Sequence, residues 1–231
     1  MPTKSPDATP KKMLVDIAFE NIRKDISQDI LRPGERLNTR LLSQQYGISE
    51  TPIKQALNRL MMQGVVESVP RKGMRVRSMK WEEIDEILDL RLMLELNFVD
   101  QVLLAVSGSM PIQKLFEQNI EESLESVERI KTPKDFFYTF DLDRKFHRLY
   151  LVSSGNRKAV QVYDNLNTHA FSLYLYDQQP PKRTLEGVVG HKLIYEALKQ
   201  NNREKVIELL NFHTKHAKET INLLLRIGRL T

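Results

Sequence analysis

The sequence predicts a mainly α-helical chain in two parts, an N-terminal winged helix-turn-helix followed by a C-terminal all-α bundle. Three observations carry this reading. Apolar residues recur at three- and four-residue steps through residues 14–61, interrupted by turn residues at 31–34 and at Gly47. Two short β-prone runs then flank Pro70-Arg71-Lys72-Gly73. From Trp81 onward helical periodicity continues with little strand signal. The expected boundaries are a flexible tail over 1–11, a winged module over 12–78 and a helical domain over 79–231.

A length of 231 residues lets each part bury its own core. The absence of cysteine excludes disulfides and thiolate metal sites, so any ion falls to His, Asp or Glu. Met1–Lys12 is polar and has no apolar core, so no secretory signal is expected there. No apolar run approaches the ~20 residues of a membrane span, and a cytoplasmic protein is expected. The net charge of +5 is unevenly shared: residues 1–80 hold 15 Lys and Arg against 8 Asp and Glu, while the rest is slightly acidic. A basic first third joined to a near-neutral remainder suits a nucleic-acid module attached to something else.

In the first part, Leu14, Ile17, Ala18, Ile22, Ile26 and Ile30 form one helical face, stopped by Leu31-Arg32-Pro33-Gly34. Asn38 can cap a short helix carrying Leu41, Leu42 and Tyr46, which Gly47 ends in a left-handed conformation. Ser49 caps a third helix with Pro52 in its first turn and Ile53, Ala56, Leu57, Leu60 and Met61 as its buried stripe; Gly64 ends it. Two short helices joined by Gly47-Ile48-Ser49 make a helix-turn-helix. The hairpin from Val65 to Arg77 is then a wing, with Arg71, Lys72 and Gly73 at its tip suited to phosphates or a minor groove.

These motifs, from Leu31-Arg-Pro-Gly-Glu-Arg-Leu37 through Gly47-Ile-Ser-Glu-Thr-Pro-Ile-Lys-Gln-Ala-Leu57 to Arg71-Lys-Gly73, resemble the GntR-family winged helix over residues 12–78. The resemblance implies groove and phosphate contacts from Arg40, Ser49, Thr51, Lys54 and Gly73. Two positions depart from the family pattern, which favours Arg at both Glu50 and Lys54. Lys is more nearly a point charge than Arg, and Glu accepts from cytosine or repels phosphate, so the resemblance implies DNA binding without fixing the half-site sequence. Glu50 also reads as a carboxylate favoured by the helix N-terminus.

In the second part, helices are expected near 82–106, 111–131, 133–153, 157–178, 184–200 and 203–227, about six in all. Asp143 and His147 stand at i and i+4, on one helix face. His191 and His213 are each eleven residues from Asn202, where Asn201-Asn202 breaks a helix pair. In an antiparallel hairpin, positions equidistant from the turn lie side by side, so these imidazoles can converge, and a third helix can bring Asp143 and His147 against them. Three imidazoles and a carboxylate suit a divalent ion such as zinc, nickel or manganese. His169 and His216 fit no such geometry and read as structural.

Arg91-Leu-Met-Leu-Glu95, Asp143-Arg-Lys-Phe-His147, Gly155-Asn156, His191 and His213 resemble the FCD ligand-binding domain of one GntR branch over residues 82–227. That resemblance implies Asp143, His147, His191 and His213 as metal ligands and Arg91 as a contact for a carboxylate effector. A local Arg91–Glu95 pair at i, i+4 is the alternative for Arg91. The expected function is a ligand-responsive repressor that binds a palindromic operator in double-stranded DNA as a homodimer and a small organic acid in its helical domain. Ile84, Ile87, Leu88 and Leu92 are one candidate dimer face or, equally, core. Two other readings are a metal-dependent hydrolase with an accessory DNA-binding domain and a DNA-binding regulator with a purely structural metal. Against the hydrolase, no further Glu, Asp or Lys is evident beside the four ligands as a general base.

Overall fold

The computed structural model describes residues 11–168, 170–176 and 179–225. The chain divides into two compact units, Met1–Ser78 and Met79–Thr231. Of the tail expected over 1–11, only Lys11 lies among the described residues, and it opens the first helix.

The first unit runs α1 (Lys11–Ser27), β1 (Arg36–Leu37), α2 (Thr39–Tyr46), α3 (Glu50–Met62), β2 (Val66–Val69) and β3 (Gly73–Val76). Ala18, Phe19, Ile22 and Ile26 of α1 are buried, as are Ile53, Ala56, Leu57 and Leu60 of α3. Ile17, Ile30, Leu41 and Met61, expected on apolar faces, are exposed instead. They sit at the edges of stripes whose centres alone reach the core. Helix α1 also stops short of the Pro33-Gly34 signal. Asp29 takes a left-handed φ of 59°, and the Ile30 and Leu31 amides both turn back onto the Asp25 carbonyl at 2.9 and 3.1 Å. The Asn38 side chain accepts from the Arg40 and Leu41 amides, and Gly47 ends α2 at φ 64°, as its residue type requires. The wing is three-stranded and antiparallel in the order β1-β3-β2, with Val69 opposite Gly73 and Leu37 opposite Met74. Strand β1 is absent from the sequence reading because two residues are too few to show alternation.

The second unit contains α4 (Trp81–Asn97), α5 (Val99–Gly108), α6 (Met110–Glu128), α7 (Pro133–Ser153), α8 (Arg157–Leu166), a 3-10 turn (Ala170–Tyr174), α9 (Pro181–Lys199) and α10 (Arg203–Leu225). Thr132 and Asp135 cap α7 reciprocally, and Asn156 caps α8 through the Lys158 and Ala159 amides. Two expectations are corrected. The single helix over 82–106 is two, because the Phe98 N–H closes onto the Glu95 carbonyl and restarts the ladder as α5. The break lets Val99, Val102, Leu103 and Val106 bury as a separate stripe. The helix over 157–178 ends at Leu166, where Asn167 turns left-handed at φ 51°.

The core of this unit centres on Phe116, Phe146, Tyr150, Tyr163, Ile194 and Tyr195. Phe116 meets Phe146 edge-on at 5.4 Å and stacks on Tyr195 at 5.7 Å. Ile84 and Leu88 are fully buried within the chain, where α4 packs along α10, and Ile87 and Leu92 are half-buried. That face is core, so the candidate dimer face is withdrawn. Among the described residues no helix is long and apolar enough to cross a membrane.

Candidate metal centre and nucleic-acid interface

The hairpin of α9 and α10 turns at Asn201, left-handed at φ 55°, and the Asn202 amide closes onto the Ala197 carbonyl at 3.0 Å. This geometry sets His191 and His213 side by side, ring centres 4.6 Å apart and planes tilted by 44°. Helix α7 delivers Asp143 and His147 to the same point. His191 Nε2 lies 3.2 Å from His147 Nε2 and 3.3 Å from Asp143 Oδ1. One donor atom from each of the four residues lies within 4.8 Å of all the others. Ligand bonds of roughly 2.0–2.2 Å place neighbouring donors about 3.0–3.5 Å apart, so the four close on an ion with small shifts. All three imidazoles are buried, while Asp143 is partly exposed.

The surroundings orient these donors. Glu95 Oε1 lies 2.6 Å from His147 Nδ1. A proton on Nδ1 donated to this carboxylate leaves the Nε2 lone pair facing the cluster, the usual arrangement behind a metal-bound imidazole. Phe146 stacks on His191 at 4.0 Å and 10° between planes, fixing that ring. Burial, reinforced by the neighbouring His191 and His147, holds the His213 pKa well below the ordinary 6.5 and keeps its ring neutral, the form that ligates. Sequence reasoning missed Glu95 in this role. Its place four residues after Arg91 offered a local partner instead. The expectation that no further carboxylate stands beside the ligands is likewise corrected. Glu95 does stand there, but its Oε1 is committed to His147, which makes it an orienting group.

Gly190 was also unread. A Cβ there would lie 2.8 Å from His213 Nδ1, closer than two such atoms approach. Gly190→Ala is therefore expected to displace the His213 ring. The helix tolerates Ala well, so the fold survives while zinc affinity falls about 10- to 100-fold, the cost typical of disturbing a ligand's supports. Zinc titration with circular dichroism on the same sample checks this; unchanged affinity would show that His213 does not need its present position.

Beside the cluster opens a cavity of about 670 Å3, counted to its open mouth. Arg91, Asp143 and His213 line one end, and Arg183 and His216 also contribute. Arg91 is 2 % exposed, and among the described residues its Nε and Nη2 have no hydrogen-bond partner. A buried guanidinium that leaves this pair of N–H groups unmet is set for a two-oxygen acceptor. His216 is held by Glu186 at 3.0 Å and Arg183 at 2.8 Å, outside the four-donor set. His169 lies outside the described residues.

In the first unit, Arg40, Ser49, Thr51, Lys54, Arg71, Lys72 and Gly73 are all exposed. Ser49 occupies the cap position of α3 without a side-chain bond to the helix, which leaves its hydroxyl for another partner. Glu50 Oε2 lies 3.2 Å from Lys54 Nζ and accepts from the Thr39 hydroxyl at 3.5 Å. The carboxylate thus positions Lys54 and ties α3 to α2, which favours the helix-terminus reading of Glu50 over base readout. Arg71 takes a left-handed φ of 63° at the wing tip. Arg36 and Gly73 from the wing and Lys54 and Asn58 from α3 line one cleft. Arg36 is a basic group the sequence reading passed over with β1. Arg40→Ala and Lys54→Ala are each expected to weaken operator binding by about 1–3 kcal/mol if they touch base edges. Fluorescence anisotropy across a salt series checks this. A loss equal on all sequences, with a shallower salt slope, would instead make them phosphate contacts.

Comparison with known proteins comes to the same place. Residues 14–76 match the model of "Bacterial regulatory proteins, gntR family", and residues 86–216 match the FCD domain. The HTH-type transcriptional regulator YdhC of Bacillus subtilis is 25 % identical over 215 residues, covering 91 % of this chain and 92 % of its own. The Escherichia coli HTH-type transcriptional regulator McbR is 28 % identical over 200 residues, covering 84 % and 86 %. The solved structure of E. coli McbR superposes with a TM-score of 0.65 at 22 % identity, over 92 % of this chain and 97 % of that one.

Proposed function

Because the chain belongs to the gntR family of bacterial regulatory proteins, in the branch built on an FCD domain, and is a DNA-binding transcriptional regulator rather than an enzyme, we propose that it is a cytoplasmic repressor whose DNA affinity is set by a small carboxylate held beside a divalent metal. The observation that carries this reading is Arg91. A buried guanidinium with two unmet N–H groups, lining one cavity with two of the four clustered donors, is costly unless an anion completes it. Asp143, His147, His191 and His213 would hold the ion, zinc before nickel or manganese on the donor set. The ion would supply a second cationic contact for the carboxylate. Arg91 binds its two oxygens, Glu95 keeps His147 in the ligating tautomer, and the buried histidines stay neutral.

The acid then couples to DNA through α4 and α10, because both helices line the cavity, α4 with Leu88 and Arg91 and α10 with His213, Ala217, Thr220 and Ile221. Helix α4 begins three residues after the winged unit ends. Two copies of the chain on a palindrome match two half-sites, as a single helix-turn-helix reads only one. A thermal-shift screen of small organic acids on the zinc-loaded chain tests the proposal. At least one acid is expected both to raise the melting midpoint and to change affinity for DNA upstream of the chain's own gene. A set of stabilising acids that all leave DNA affinity untouched would reduce the site to a structural one.

A further inference from the structure

The walls of the cavity point to what the acid carries besides its carboxylate. Away from Arg91, the lining includes Leu88, Phe171, Leu175, Val188 and Ile221, all apolar. Two of the three hydroxyls that reach the cavity have spent their donor on a backbone carbonyl, and the third already accepts an amide. Thr139 donates to the Asp135 carbonyl at 3.1 Å, Thr220 donates to the His216 carbonyl at 2.9 Å, and Thr184 accepts the Gln179 amide at 3.0 Å. Among the described lining residues the second guanidinium, Arg183, is partly exposed and already shares Nη1 with Glu186 Oε2 at 3.2 Å and His216 Nε2 at 2.8 Å. A second acidic group on the ligand would have to compete with Glu186 for it.

Charge at the other end gives the same answer. With a divalent ion in place, the formal charges of the ion, Arg91, Asp143 and Glu95 leave one positive charge. A single carboxylate brings the site to neutrality. A second or third would bury uncompensated negative charge among apolar walls, which is strongly unfavourable.

We infer that the effector class is an apolar monocarboxylate, a single carboxylate on an aliphatic or aryl body, and that di- and tricarboxylates are rejected. This rests on the effector reading above. The probes are pentanoate and glutarate, which share a carbon count and differ by one carboxylate, together with acetate, butanoate, phenylacetate and tricarballylate. Each is titrated calorimetrically into the full zinc-loaded chain, with metal content measured afterwards. Pentanoate is expected to bind at least about tenfold more tightly than glutarate. Lengthening butanoate to pentanoate should gain about fourfold, the worth of one buried methylene. Binding should show the negative heat-capacity change of apolar burial. Val188→Thr keeps side-chain volume but adds a hydroxyl to the wall, and should weaken phenylacetate several-fold more than acetate. Glutarate or tricarballylate binding as tightly as pentanoate would overturn the monocarboxylate assignment alone and leave the effector reading standing. No binding by any acid, acetate included, would overturn both.

Discussion

Zinc reconstitution is expected to raise the melting midpoint of the wild-type chain by roughly 8–16 °C, and His147→Ala combined with His191→Ala is expected to abolish the rise. At a free-ion concentration a thousandfold above Kd, an ion bound only by the folded state adds about 4 kcal/mol. A domain of this size shifts by roughly 2–4 °C for each kcal/mol. The double variant removes two of four donors whose atoms lie within 4.8 Å of one another, leaving Asp143 and His213 to hold the ion alone. His216→Ala is the control. That ring belongs to the Glu186 and Arg183 cluster, so its loss should spare the metal shift. Elemental analysis decides the matter. Stoichiometric zinc that persists unchanged in the double variant would sink the assignment of these four ligands.

The pH dependence follows from His213. Its folded pKa is depressed, so the unfolded chain takes up a proton near 6.5 that the folded chain refuses until lower pH. The stability this contributes is fully present above 6.5 and is lost as pH falls from 6.5 toward the folded value. The metal-free chain should therefore melt lower at pH 5.5 than at pH 7.5, and His213→Asn should flatten that difference. A free imidazole would begin to lose its ligand form below its ordinary value of about 6.5. A ring held neutral by burial keeps its ligand form further into the acid range, so zinc retention should extend below pH 6.

What could be read beforehand divides by the range of the interactions involved. The winged unit was legible because its turns are written locally. Asn38 caps through its own side chain, Gly47 adopts a conformation other residues resist, and Pro52 sits where its missing N–H costs nothing. The four clustered donors were legible because both spacings are geometric, one turn of α7 and equal distances from the α9–α10 turn. The break between α4 and α5 was not, since no Gly or Pro marks Phe98 and the stop is imposed by how Val99 to Val106 pack. The Glu95–His147 contact joins residues 52 apart, and no local pattern announces it. Gly190 carries no turn at all. Its significance lies in the imidazole of another helix that occupies the space beside it.

Arg91→Met is expected to make the metal-loaded, acid-free chain more stable while removing its response to carboxylates. The wild-type guanidinium is 2 % exposed and, among the described residues, leaves Nε and Nη2 without partners. Unmet buried donors cost about 1–3 kcal/mol, and a charged group sits at the upper end. Methionine fills much of the same volume with an unbranched apolar chain and needs no partner. Stability should rise by about 1–3 kcal/mol, because a site built for a ligand is strained without it. Zinc content should be unchanged, as Arg91 is not among the four donors. Affinity for operator DNA without acid should also be unchanged, but acids that shift the wild type should no longer shift the variant. A local Arg91–Glu95 role predicts the opposite: loss of the arginine would then destabilise the chain and disturb His147 through Glu95, lowering zinc affinity. Chemical denaturation, metal analysis and DNA titration on one preparation separate the two outcomes. An Arg91→Met chain that is less stable than wild type and still responds to acid would remove Arg91 from the ligand site.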